Sequence, residues 1–276
     1  MSPRLLQVDA FVDAAGAFTG NPAAVCLLPA GATPSDGWRQ AVAAEMNLSE
    51  TAFVERREAG WAIRWMTPEA EVDLCGHATL ASAHALYEEG LVEAATELVF
   101  ASRSGPLRAR RLGRADDAGR ALLELDFPAT APAPAEAPPG LLEALGVGEA
   151  LTVARSRFDV LVQLADEAAV RALEPDLRRL RAVDARGVIV TAAGDAVDLV
   201  SRFFAPAVGV DEDPVTGSAH CALAPFWAER LGRKTLRARQ LSRRGGRLEL
   251  ELVGERVKLR GAAVTTLRGE LTVPLD

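Results

Sequence analysis

Residues 4–12 (RLLQVDAFV) and 22–28 (PAAVCLL) read as short strands on either side of the turn-rich stretch 13–21 (DAAGAFTGN), a hairpin-like opening. Apolar positions then recur at helical spacing over 36–46 (DGWRQAVAAEM), behind a cap at Ser35 or Asp36. Strand composition returns at 51–56 (TAFVER) and 61–67 (WAIRWMT), so Glu50 falls where a helix gives way to a strand. The segment 77–90 (HATLASAHALYEEG) has helical length and a closing Gly90, yet its first ten residues are small or apolar on every face. A helix of that kind has to be buried all round.

A near relative of this helix lies in the second half, at 218–232 (SAHCALAPFWAERLG), where Pro225 is a candidate kink. An offset of about 140 residues pairs Gly76 with Gly217, His77 with Ser218, Ala78 with Ala219 and Ala81 with Ala222. Each helix follows a strand-like run ending in an acidic loop (70-AEVDLCG-76 and 209-GVDEDPVTG-217), so the pair reads as an internal repeat. Between the halves, 128–140 (PATAPAPAEAPPG) holds too much proline for a helix or a central strand and reads as a semi-rigid linker. The second half continues with strand candidates at 159–165, 187–193, 198–205, 247–254 and 256–267, and helical stretches at 140–146 and 166–180. The expectation is an α+β chain of two domains, 1–127 and 128–276 with the linker at 128–139 and with allowance for the last strand returning to the first domain. Each domain is a curved sheet wrapped on one buried helix.

The 276 residues suit two domains, and 49% apolar with 25% charged residues is the balance of an ordinary globular enzyme. Against 38 acidic residues stand 31 basic ones, a net charge of −7, and no basic stripe with interleaved aromatics occurs. The most basic runs, 107-LRARRLGR-114 and 237-RARQLSRRGGR-247, alternate with apolar residues as the solvated face of a strand does, so nucleic acid is not an expected partner. Three widely spaced cysteines (Cys26, Cys75, Cys221), with no C-x-x-C pair, exclude a disulfide framework and a zinc-finger-like site. The N-terminus enters a strand pattern directly and no apolar run reaches the length of a membrane span, so a cytoplasmic protein is expected.

A buried helix that starts at a glycine-containing loop offers free N–H groups and the positive end of its dipole, an anion site without a charged side chain. Two such starts, Gly76-His77 and Gly217-Ser218, can face one cleft if the halves are related by pseudo-symmetry. Glu50, Asp213, His77 and Ser218 would then supply carboxylates, an imidazole and a hydroxyl, a set suited to moving protons. Each also has a purely structural reading: Glu50 as a surface charge, Asp213 as a loop cap, Ser218 as an N-cap and His77 as a core histidine. His84 follows His77 by seven residues with no H-E-x-x-H around it, and no metal or cofactor is expected.

The strings 20-GNPAAV-25, 45-EMNLSETAFV-54, 74-LCGHAT-79 and 202-RFFAPAVGVDEDPVTGSAH-220 resemble the signatures of the phenazine-biosynthesis PhzF-like family, in its order and spacing, and 240–271 resembles its closing strands. The resemblance implies a diaminopimelate-epimerase-like fold, two pseudo-symmetric domains with the active site between them, and commonly a homodimer. It also implies a metal- and cofactor-independent isomerase acting on a small carboxylate metabolite; the family's best-known member isomerises dihydro-3-hydroxyanthranilate. The family's proton-shuttling glutamate falls on Glu50, its histidine on His77, its aspartate on Asp213 and its serine on Ser218. Asn21, Cys75, Gly76, Thr216 and Gly217, from the same strings, are the expected substrate-binding positions. Epimerases of this fold use two opposed cysteines; Cys75 stands in the place of the first, but Pro214 occupies the place of the second. Cys75 is therefore either a lone active-site thiol or a small buried residue. Two other readings stay open: a hydrolase with Ser218, His77 and Asp213 as its triad, although TGSAH lacks the G-x-S-x-G elbow, and a non-catalytic metabolite-binding protein.

Overall fold

The computed structural model describes residues 2–58 and 60–276, and these form two compact units, one of residues 2–58, 60–126 and 260–276 and the other of residues 127–259. The first unit contains β1 (Arg4–Ala10), β2 (Asn21–Leu27), α1 (Asp36–Met46), β3 (Glu50–Arg57), β4 (Gly60–Met66), the short β5 (Glu71–Val72), α2 (Gly76–Glu88), β6 (Leu98–Ser102), β7 (Gly105–Ala115) and β8 (Ala121–Pro128). The second holds β9 (Ala133–Pro134), α3 (Leu141–Leu145), β10 (Thr152–Arg155), β11 (Val160–Gln163), α4 (Glu167–Arg171), α5 (Leu177–Leu180), β12 (Val188–Ala193), β13 (Leu199–Phe204), α6 (Gly217–Leu231), β14 (Thr235–Gln240) and β15 (Gly246–Val253). The last strand, β16 (Arg256–Glu270), begins in the second unit and from Arg260 onward belongs to the first. The chain passes between the units at 126/127, one residue from the boundary expected from the sequence, and again at 259/260 within β16.

In the first unit the strands run β1-β2-β3-β4-β6-β7-β8, and β16 lies beside both β8 and β1, so the sheet closes on itself. β1 and β16 pair antiparallel from Arg4 with Glu270 to Ala10 with Ala263. α2 packs on β1, β2, β3 and β7, and Ala78, Leu80, Ala81, Ala83, Ala85 and Leu86 are all fully buried. Two polar residues inside this helix stay satisfied without leaving it, because Thr79 Oγ1 donates to the Cys75 carbonyl and Ser82 Oγ to the Ala78 carbonyl. Replacing Leu80 or Leu86 by alanine would cost about 2–5 kcal/mol at such sites. Buried Glu124 on β8 accepts from Arg110 at 2.8 Å and from Arg260 at 2.6 Å.

The second unit repeats the plan, with strands in the order β15-β14-β13-β12-β11-β10-β9 and parallel pairs at β11/β12 and β13/β14. α6 packs on β14 and β15, and Trp227 on its buried side donates from Nε1 to Thr191 Oγ1 on β12. Pro225 sits inside α6, where a proline cannot donate to the carbonyl four residues back. That carbonyl, of Cys221, is taken instead by the backbone N–H of Thr130 in the proline-rich segment at 3.1 Å. The segment also contributes β9, a two-residue edge pairing with β10, the position in a sheet where proline is tolerated.

The helix expected over 166–180 is two short helices, α4 and α5. Pro175 interrupts the helical spacing, and Asp176 restarts it by accepting from the Arg179 N–H. No helix among the described residues is long and apolar enough to cross a membrane.

Candidate active site

The backbone of the first unit delivers its polar group at strand starts, tight turns and a helix start. β2 and β3 run parallel with Ala23 opposite Glu50, and Asn21 and Glu50 are the first residues of their strands. α1 ends at Asn47 in the left-handed conformation, which turns the chain toward β3 and Glu50. Just before Asn21, Gly20 has φ +70°, and a Cβ there would stand 2.3 Å from the Ala10 carbonyl, so only glycine passes this turn. The last contribution is the start of α2, with Cys75 as an N-cap that makes no side-chain capping bond.

His77, in the first turn of α2, lies at the centre of the group. Its Nε2 is 3.2 Å from Glu50 Oε2, its Nδ1 is 3.1 Å from Asn21 Nδ2, and Cys75 Sγ is 3.5 Å from the same Nδ1. The Glu50 side chain keeps 18% exposure and that of His77 only 6%. The approach of Glu50 Oε2 to the ring is close but not aligned as a hydrogen bond, so this buried oxygen has no hydrogen-bond partner among the described residues. Burial works against charge on His77, but Cys75 and Glu50 together outweigh it and lift the ring above the ordinary imidazole range. Burial, reinforced by the Glu50 charge, pushes the Cys75 thiol up to about 11.

Cys75 is a small buried residue whose Sγ lies against the His77 ring. Cys26 and Cys221 are buried free thiols pushed up to about 12 by desolvation. None of the three thiols is expected to react with iodoacetamide in the native protein at neutral pH. Peptide mapping after brief labelling checks this, and fast modification of Cys75 would mean a thiolate.

The convergence of Glu50, Cys75 and His77 was not legible from spacing. Their ligand atoms lie within 4.8 Å of one another, a sulfur–nitrogen–oxygen set that a zinc-like ion can accept. Such an ion would first have to displace the firmly held Cys75 proton.

The second unit has its own group at the start of α6. Thr216 is an N-cap without a side-chain capping bond, and its Oγ1 donates to Asp213 Oδ2 at 2.5 Å. Fully buried Gln240, at the end of β14, clamps this turn by accepting from the Thr216 N–H and donating to the Asp213 carbonyl. Ser218 Oγ lies 3.5 Å from Nη2 of Arg186, whose guanidinium is held by both oxygens of buried Asp159. Sequence reasoning missed Gln240 and Arg186 because each acts across more than 20 residues of chain. His220 is a core histidine: Nδ1–H donates to the Thr216 carbonyl, and burial lowers its pKa to about 4.

The structure therefore assembles Asn21, Glu50, Cys75, Gly76 and His77 in one group and Asp213, Thr216, Gly217 and Ser218 in another. Asp213 accepts from Thr216 and Ser218 contacts Arg186, while the ring nitrogens of His77 face Glu50, Asn21 and Cys75.

Residues 8–269 match the family model described as phenazine biosynthesis-like protein. An uncharacterized isomerase of Pseudomonas aeruginosa is 50% identical over 271 residues, covering 98% of this chain and 99% of the relative. A crystal structure of a PhzF family phenazine biosynthesis protein from Enterococcus faecalis superposes with a TM-score of 0.90 at 42% identity, over 99% of this chain and 100% of that one. A probable proline racemase from Agrobacterium radiobacter, only 12% identical, shares the fold with a TM-score of 0.66 over 99% of this chain and 94% of its own. The fold is the diaminopimelate-epimerase-like one.

Proposed function

The chain belongs to the phenazine biosynthesis-like family, and from that premise we propose that it is an isomerase that moves a proton on a small carboxylate-bearing metabolite, with Glu50 as the acid/base. The observation that carries this reading is the placement of Glu50: a largely buried carboxylate at a strand start, with Oε2 uncommitted in hydrogen-bond terms and an imidazole 3.2 Å away. A carboxylate so placed can accept a proton from an acidic C–H and give it back.

In the proposed step the C–H bond of the substrate breaks toward a Glu50 oxygen. Its electron pair stays on the substrate, delocalised into the adjacent unsaturated or carboxylate-bearing system, and the proton returns from Glu50 to another carbon. The uncapped start of α2 favours an anionic group on the substrate, and His77 lies against the oxygen that changes charge. No step in this scheme calls for a metal or nucleotide.

Heavy water tests the reaction class. Incubation of the protein with pools of small carboxylic acids in heavy water is expected to give compounds that gain deuterium on carbon. A hydrolase would instead yield cleaved products without such gain, and covalent labelling of Ser218 by a serine-directed phosphonate would favour that alternative.

A further inference from the structure

Asn21 is fully buried at the start of β2, and the contact of its amide nitrogen with His77 Nδ1 joins residues 56 apart in the chain. Opposite it on the ring, Nε2 faces the Glu50 carboxylate at 3.2 Å. A neutral imidazole carries one proton, and the partner of one ring nitrogen decides which nitrogen holds it. An amide N–H can bond only to a nitrogen that offers a lone pair. We propose that Asn21 is a positioning residue for the acid/base: its amide N–H donates to Nδ1 of His77, which leaves the ring proton on Nε2, the nitrogen that lies 3.2 Å from Glu50 Oε2. The inference rests on the reading of Glu50 given above and adds to it the state in which His77 works.

Two consequences follow from proton bookkeeping. In this tautomer the Nε2 proton stands beside Glu50, the group that takes a proton from carbon. Because Nε2 already bears a proton, the ring in this tautomer cannot accept the one Glu50 removes. That proton stays on Glu50 for return to the substrate. A second proton on the ring can go only to Nδ1, where the Asn21 N–H stands against it. The titratable groups acting on the ring are Cys75, from the turn before α2, and Glu50, from β3; Asp9 on β1 is engaged by the backbone N–H of Phe18. Glu50 thus favours the imidazolium and Asn21 opposes it, and turnover should rise as pH increases through the titration of His77.

The test is nitrogen-15 NMR of the full chain, whose three histidines make the spectrum tractable, with His77 assigned through His77→Gln. Above its titration midpoint, wild-type His77 is expected to show a bare Nδ1 and a protonated Nε2. Asn21→Asp replaces the donor by a charged acceptor. It is expected to protonate Nδ1, to raise the His77 midpoint by about one pH unit or more, and to move the rise in turnover with it. A wild-type ring with its proton on Nδ1, or an Asn21→Asp midpoint equal to the wild-type one, overturns the inference. The wild-type tautomer decides alone if the variant does not fold. It is also independent of turnover: a fully active Glu50→Gln would sink the isomerase reading whatever the tautomer, and a wrong tautomer would leave that reading standing.

Discussion

Glu124→Ala is expected to lower the stability of the first unit by about 3 kcal/mol, the lower end of the cost of breaking a buried ion pair by removing one partner. The Glu124 side chain is only 3% exposed and is held by Arg110 on β7 and by Arg260 on β16. Removing it takes from Arg260, 14% exposed, the carboxylate that meets its Nε at 2.6 Å. Arg110 is half-exposed and regains water, which keeps the loss near the lower figure. The effect matters for architecture because Arg260 is the first residue of β16 within this unit, so the pair ties in the strand that closes the sheet. A drop in Tm of about 10 °C is expected. Glu124→Gln, which keeps shape and some hydrogen bonding, should lose less. A Glu124→Ala protein as stable as wild type would show that Arg260 finds equivalent partners.

This ion-pair cluster also shows where sequence reasoning stopped. Elements with local signals were legible: α2 and α6 from their all-round small residues, β3 after the α1 cap, the repeat from matched glycine-led helix starts. The family strings marked Glu50, His77, Asp213 and Ser218 because each lies in a contiguous motif. What escaped depends on contacts between distant segments. Glu124 and Arg260 are 136 residues apart, Thr130 reaches Cys221, and Gln240 reaches back to Thr216. The single helix expected over 166–180 is split for a local reason, since its apolar spacing runs through Pro175 and the breaker outweighs the period. The role of Asn21 was half legible: its string marked it for the site, but only the fold shows that it faces a histidine and not empty space.

Glu50→Gln is expected to fold like the wild type and to lose turnover by about two to four orders of magnitude, the usual contribution of a positioned acid/base. The substitution keeps the size and planarity of the side chain at the start of β3, and the ladder that holds this residue, parallel to β2, is a backbone feature. It removes the group able to carry a proton and changes little else in the packing. His77 would lose the charge that favours its imidazolium, so its titration midpoint should fall in this variant, an independent sign that the two side chains interact. Glu50→Asp shortens the reach by one methylene and should fall between the two, since a misplaced carboxylate still ionises but meets the C–H bond poorly.

The decisive measurement is the rate of deuterium gain on carbon in heavy water, for an acid that the wild-type protein labels, compared between wild type and Glu50→Gln at equal concentration and matched Tm. Loss of at least about a hundredfold in that rate is the result expected of a proton carried by Glu50. Wash-in by Glu50→Gln at the wild-type rate would contradict it and place the acid/base on another residue.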